Sequence, residues 1–237
     1  MIQLSTITSG DIQERGLLTR EPKWMRQQRL LAWEDFKKSE SPNWIRSKIP
    51  KVDLMASTKL KFPSADIKPL SLEKKPPAGA AGKITLVDGK LLRVSLLPEL
   101  AHKGVILSDM QSAVLERADL LEPYLLQSFW GVEDLFTAFH RALWSNGYFL
   151  YVPKGVTVDL PIQVQVVQKD PHLSILDRSL MILDQQASVT LEELYESEGS
   201  SDQTLVCATA TEAFVGDGAR LQYFSTQNWG RHVYDLS

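Results

Sequence analysis

Residues Tyr151 to Val167 read YVPKGVTVDLPIQVQVV. Nearly every position favours extended backbone, yet Pro153, Gly155 and Pro161 interrupt the run. Branched and aromatic side chains suit a pleated surface, whereas proline removes a ladder donor and glycine marks a bend. Val158, Leu160, Ile162, Val164 and Val166 alternate with Thr157, Asp159, Gln163 and Gln165, which turns one apolar face inward. Pro161 falls within that alternation and predicts an edge or a bend. The stretch holds no His, Cys or Ser, so it is strand that bends and carries no reagent.

Downstream the period stays at two. LSILDRSLMIL, SVTLEEL, LVCATATEAFV and RLQYFST read as further strands, separated by DQQA, ESEGSSDQ and GDGA with no helix between them. Two turns share a frame. Asp184-Gln185-Gln186-Ala187 leads into Val189 and Leu191, and Gly216-Asp217-Gly218-Ala219 leads into Leu221 and Tyr223. A small residue followed by alternating apolar positions suits a chain that turns a corner and stacks on its previous turn. A β-sandwich gives similar strands, so the pattern leaves solenoid and sandwich both open.

Upstream the period is helical. Val132, Phe136, Phe139 and Leu143 share a face, with Asn146-Gly147 as the expected stop. Asp88-Gly89 between apolar runs in KITLVDGKLLRVS predicts a two-residue hairpin. Pro22 opens a helix through WMRQQRLLAWEDF, on which Met25, Leu31, Ala32 and Phe36 follow helical spacing and Trp24 and Trp33 are expected to pack inward. The organisation expected is a helical N-terminal region over 1–62, a Pro-rich linker over 63–82, a mixed hairpin and helical segment over 83–147, and β structure over 148–237. Lys74 and Lys75 in the linker read as solvated.

At 237 residues the chain can bury a sizeable core. Its net charge of -3 and the lack of a dense Lys/Arg run argue against a binder that depends on phosphate contacts, so no nucleic-acid partner is expected, although a local basic face stays open. One cysteine, Cys207, cannot make an internal disulfide, and the N-terminus lacks a secretory pattern; both favour a cytoplasmic setting. No apolar run reaches the ~18 residues of a membrane span. His102, His140, His172 and His232 lack metal-ligand spacing, and the chain has no phosphate loop, dinucleotide fingerprint or nucleophile elbow. Glu192 and Glu193 point to opposite faces of a strand, which spoils a glycosidase pair. With Glu196 and Glu198 they are expected at a solvated sheet edge and turn. Cys207 reads as a small buried hydrophobe, with metal or sulfur ligation as the weaker reading.

LFTAFHRALWSNGYFLYVPKGVTVDLPIQV resembles the SufB/SufD family of iron–sulfur cluster assembly proteins, in which a helix with an Asn/Asp-Gly stop runs into an F-x-Y-V-P-K-G-V strand. DRSLMILDQQASVTLEE and QNWGRHVYDLS resemble later family segments in the same order. EPKWMRQQRLLAWEDFKKSESPNW is most similar to the SufD branch, as is the lack of cysteine at Leu194-Tyr195-Glu196, where SufB-type scaffolds carry one.

The resemblance implies a mainly β chain, an incomplete right-handed parallel β-helix from about residue 148 preceded by an α-helical and mixed region. It implies a non-catalytic subunit that pairs with a SufB-type scaffold and a SufC-type ABC ATPase. This chain alone is expected to bind no cofactor, and the iron–sulfur cluster forms in the assembled complex. A SufB-type scaffold role is the alternative, and a β-helical carbohydrate-active enzyme a more distant one. Family members are close to twice this length, so the chain is expected to be truncated in its C-terminal half. The family's ATPase-binding and cluster-ligand positions then fall beyond Ser237, and none is carried over. An exposed strand edge offers a homodimer contact.

Overall fold

In the computed structural model, residues 2–40, 54–60, 75–125 and 134–236 are described. The chain is mixed α/β, with two mostly parallel five-stranded sheets. A two-residue strand β1 (Ile2–Gln3) pairs antiparallel with β2 (Lys59–Leu60), beside the short helix α3 (Leu54–Ser57). The first helices are α1 (Ser9–Leu18) and α2 (Lys23–Lys38). Thr8 caps α1 reciprocally with Asp11, and Pro22 stands immediately before α2, where its missing N–H costs nothing.

The hairpin forms as expected. β3 (Gly82–Val87) and β4 (Lys90–Leu96) are antiparallel, with Asp88 and Gly89 at φ 51° and 70° in the turn. Helix α4 (Pro98–His102), strand β5 (Ile106–Asp109) and helices α5 (Met110–Glu116) and α6 (Ala118–Leu121) follow. Of the expected linker, residues 63–74 lie outside the described residues, as does Val132. Ala80 and Ala81 are buried, and Gly82 already opens β3.

Helix α7 (Leu135–Leu143) begins at the capping residue Asp134 and ends four residues before the glycine expected to stop it. Gly147 has another task. A Cβ there would sit 1.9 Å from the Arg178 carbonyl oxygen, at φ 137°. Asn146-Gly147 is therefore a seam: the Asn146 carbonyl accepts from the Arg178 N–H at 2.7 Å and the Gly147 carbonyl from the Met110 N–H at 3.0 Å.

The remaining strands are β6 (Tyr148–Val152), β7 (Ile162–Gln168), β8 (Leu176–Leu183), β9 (Ser188–Ser197), β10 (Leu205–Val215), β11 (Arg220–Asn228) and β12 (Val233–Leu236). Consecutive members never pair with each other. The first sheet has the order β12-β10-β8-β6-β5 and the second β11-β9-β7-β3-β4. From β6 onward the chain crosses from one sheet to the other at every strand, and each strand lies parallel to the next but one.

The shared turn frame is the register of this stack. Leu191 pairs with Tyr223 and Ala208 with Leu176; Thr190 Oγ1 donates to Gln222 Oε1 32 residues on, at 3.0 Å. The corners stack as the strands do: Gly155 N–H bonds to Gln185 O at 2.9 Å, and Gln186 N–H to Asp217 O at 2.9 Å. Gly155, Gln186 and Gly218 take φ of 70°, 60° and 69° at these corners.

YVPKGVTVDLPIQVQVV is thus two strands and the corner joining them. The expected alternation through Leu160 fails, and that side chain is exposed, because β7 starts only after Pro161. Pro161 stands at the entry to the strand, where its carbonyl accepts from the Ala81 N–H.

The main core fills the space between the sheets, including Ile84, Leu150, Val164, Met181, Val189 and Leu191. Two further clusters lie on the outer face of the first sheet. Trp33, Phe36 and Phe139 join α2 and α7 to Leu176 and Val206, and Met110, Val114 and Trp144 pack on Phe149 and Leu180. With both faces covered, β8 is buried along its whole length. Trp33 packs inward as expected, but Leu31 faces out while Arg29 is buried in its place. Among the described residues no helix is long and apolar enough to cross a membrane.

Candidate functional site

Cys207 lies on the inward face of β10 and is fully buried. Its Sγ accepts from the Ile175 N–H at 3.4 Å and lies 3.9 Å from Gln168 Nε2. Burial pushes the thiol pKa up to about 12. A metal ligand must be thiolate, and this group is held as a neutral thiol. His232 Nε2 is 3.2 Å from Gln168 Oε1, so the fold brings His232, Gln168 and Cys207 into one row. Among the described residues no three His, Cys, Asp or Glu side chains are grouped to hold a metal ion.

The other histidines stay apart. His102 ends α4 on the surface, and His172 is exposed. His140 is buried in α7 and donates from Nε2 to the Asp177 carbonyl at 2.9 Å. Burial, helped by the positive charge of Arg178, lowers its pKa to about 3. His140 is therefore a neutral link between helix and sheet.

The acidic group divides along β9. Glu192 is exposed and accepts from Gln163 Nε2 at 3.3 Å, Glu196 accepts from Gln165 at 2.6 Å, and Glu198 lies 3.8 Å from Lys169 Nζ. Glu193 departs from the expected solvated edge. It faces inward, 3% exposed, and accepts from the hydroxyls of Tyr195 at 2.8 Å and of Tyr223. Burial raises its pKa against those hydroxyl bonds. The alternation Val189, Leu191, Glu193, Tyr195 had already set this position on the inner face.

Asp177 carried no such signal. It is 1% exposed on β8, and among the described residues neither carboxylate oxygen has a hydrogen-bond partner. Burial, with the neighbouring charge of Glu193, raises its pKa to about 7. The next residue, Arg178, faces the opposite way and pairs with Glu212, both buried. Burial lowers the Arg178 pKa to about 10, opposed by the Glu212 charge.

On the outer face of the second sheet lies a groove of about 520 Å³, lined by Lys83, Gln163, Gln165, Glu192, Leu194 and the exposed Phe224. Its amides and carboxylates are bonded to each other, and no His, Cys or Ser is among its described lining residues.

Fold and site define a stacked, mostly parallel scaffold with its one thiol sealed inside. Residues 80–164 match the model for the SufBD protein N-terminal region, and residues 166–237 match the model for the SUF system FeS cluster assembly, SufBD core domain. The chain belongs to the SufBD family.

Among curated relatives, an iron-sulfur cluster assembly SufBD family protein of Staphylococcus saprophyticus is 26% identical over 245 residues, covering 97% of this chain and 52% of the relative. Proteins of the same description from Staphylococcus haemolyticus and Staphylococcus aureus are 28% and 27% identical over 254 residues, with the same coverage. The chain spans about half the length (52%) of the curated relatives it matches.

Proposed function

We propose that this chain is a non-catalytic subunit of an iron–sulfur cluster assembly complex, most like the SufD branch, that pairs with a SufB-type scaffold and a SufC-type ABC ATPase in the cytoplasm. The carrying observation is that the core-domain match falls on the stacked strands, whose one cysteine is a buried neutral thiol. In this reading the stack is the first part of a right-handed parallel β-helix. The crossing of every strand from sheet to sheet, with parallel partners, supports that architecture. The cluster is cargo of the assembled complex, and this chain contributes a rigid wall with outward amides and carboxylates.

Recovery of the endogenous protein with an antibody to this chain tests the proposal. Co-purification of a SufB-type protein and an ABC ATPase is the expected outcome; recovery with neither overturns it. Cys207→Ser tests the role of the thiol. The expected result is an unchanged yield of cluster from the complex and a stability loss of about 1–2 kcal/mol, because a hydroxyl replaces sulfur in an apolar site. A loss of cluster yield at unchanged complex content would make Cys207 a ligand.

A further inference from the structure

Among the described residues, Asp177 is buried in the interior of the stack beside a second acid, Glu193, with no hydrogen-bond partner on either carboxylate oxygen. Asp177 is directed into it from β8, Glu193 and Tyr195 from β9, and Tyr148 from β6. On β10 the adjacent inward groups are Cys207 and Thr209, the latter directly paired with Asp177. Tyr223 reaches Glu193 from β11, Asp235 acts on Cys207 from β12, and His232 ends the row at Gln168. The nearby cations, Arg29, Arg141 and Arg178, surround His140 and Glu212 on the opposite, helix-covered face of β8. An ionised carboxylate left without a donor or a cation in such a place loses its hydration and gains nothing in return.

We propose that Asp177 is a proton-linked latch on the interior, protonated while the two sheets enclose it and releasing its proton when they part. The neutral acid removes repulsion from Glu193, which keeps its own hydroxyl donors Tyr195 and Tyr223. The sign is fixed by linkage. The closed chain binds a proton that the open chain gives up, so closure is favoured at low pH and weakens as pH rises toward 7. The latch stands independently of the assembly-subunit reading, because it concerns this chain's own interior.

The test compares the unfolding equilibrium of the chain with that of Asp177→Asn across pH. The ratio of wild-type to variant folding constants is expected to fall about three-hundredfold between pH 4 and 7, nearly tenfold per unit in mid-range, and to level off above. A ratio independent of pH overturns the latch. If the variant does not fold, the wild type grown with ¹³C-labelled aspartate gives the answer by infrared spectroscopy, since the label leaves Glu193 unmarked. A buried protonated aspartic acid band persisting at about pH 5.5 supports the latch, and its absence there overturns it.

Discussion

Asp177 and Arg178 are neighbours in sequence, both almost wholly buried, and they face opposite worlds. On the helix-covered side, charge is met by opposite charge. Arg178 pairs with Glu212, and Arg29 pairs with Glu21 at 2.9 Å while also bonding the carbonyls of Ala142 and Trp144 and lying over the Trp144 ring. Arg15 adds bonds to the carbonyls of Leu143 and Trp144, so two guanidiniums sit at the C-terminal end of α7, where the helix dipole favours cations. Between the sheets, Glu193 meets the hydroxyls of Tyr195 and Tyr223, and Asp177 lies near that second acid. Buried charge on one side binds separate elements together; on the other it is tolerated through protonation and hydroxyl bonds.

The largest expected effect comes from breaking the paired side. Arg178→Met removes the buried cation that pairs with Glu212 and is expected to lower stability by about 3–5 kcal/mol, read by denaturant unfolding. A change below about 1 kcal/mol would mean that Glu212 re-solvates, and the contrast between the faces would weaken. Gly147→Ala follows, at about 3 kcal/mol, because its Cβ meets the Arg178 carbonyl at the seam. Thermal unfolding reads it, and a wild-type midpoint would show that the seam gives way.

His140 sharpens the comparison through pH. Its folded pKa, about 3, lies below the ordinary value of 6.5, so the unfolded chain binds the extra proton. Stability from this group is full above pH 6.5 and drains as pH falls toward 3, by about 2 kcal/mol at pH 5. The variant His140→Gln should lack that acid loss, which runs opposite to the loss with rising pH between about 4 and 7 expected from Asp177. The smallest effect is Tyr223→Phe. Removing one of the hydroxyls on Glu193 should cost about 1–2 kcal/mol in unfolding measurements at neutral pH. A cost of that size in Tyr223→Phe with none in Arg178→Met would reverse the ranking of the two faces.

Strands buried on one face were legible because they alternate, and the Asp184 and Gly216 turns disclosed a spacing that the β9–β11 register reproduces. The family motifs lay in plain view for the same reason: corners are built from glycine, proline and small residues that sequence displays. What stayed hidden depended on the opposite face of a strand buried on both sides. LDRSLMIL shows no alternation to assign Asp177 or Arg178, since helices cover one face and the second sheet the other. Arg29 was hidden likewise, because a buried guanidinium needs α7 carbonyls 113 and 115 residues away to explain it. Glu193 could have been found by extending the alternation two residues beyond Leu191. Leu160 misled because a proline at a strand entry mimics one more step of the pleat.

The stacked corners also decide where the molecule tolerates editing. One set, at Gly155, Gln186 and Gly218, is tight and locked to its neighbours by backbone bonds. Lap lengths nevertheless differ, from the 28 residues separating Leu205 and Val233 to the 32 separating Thr190 and Gln222. Since a one-residue slip within a strand would turn its side chains inside out, the slack is taken up in the corners, and the wider set has room for it. The exposed run Glu198-Gly199-Ser200 belongs to that wider set and is the natural site for a graft, a tag or a cleavage point that leaves the wall intact.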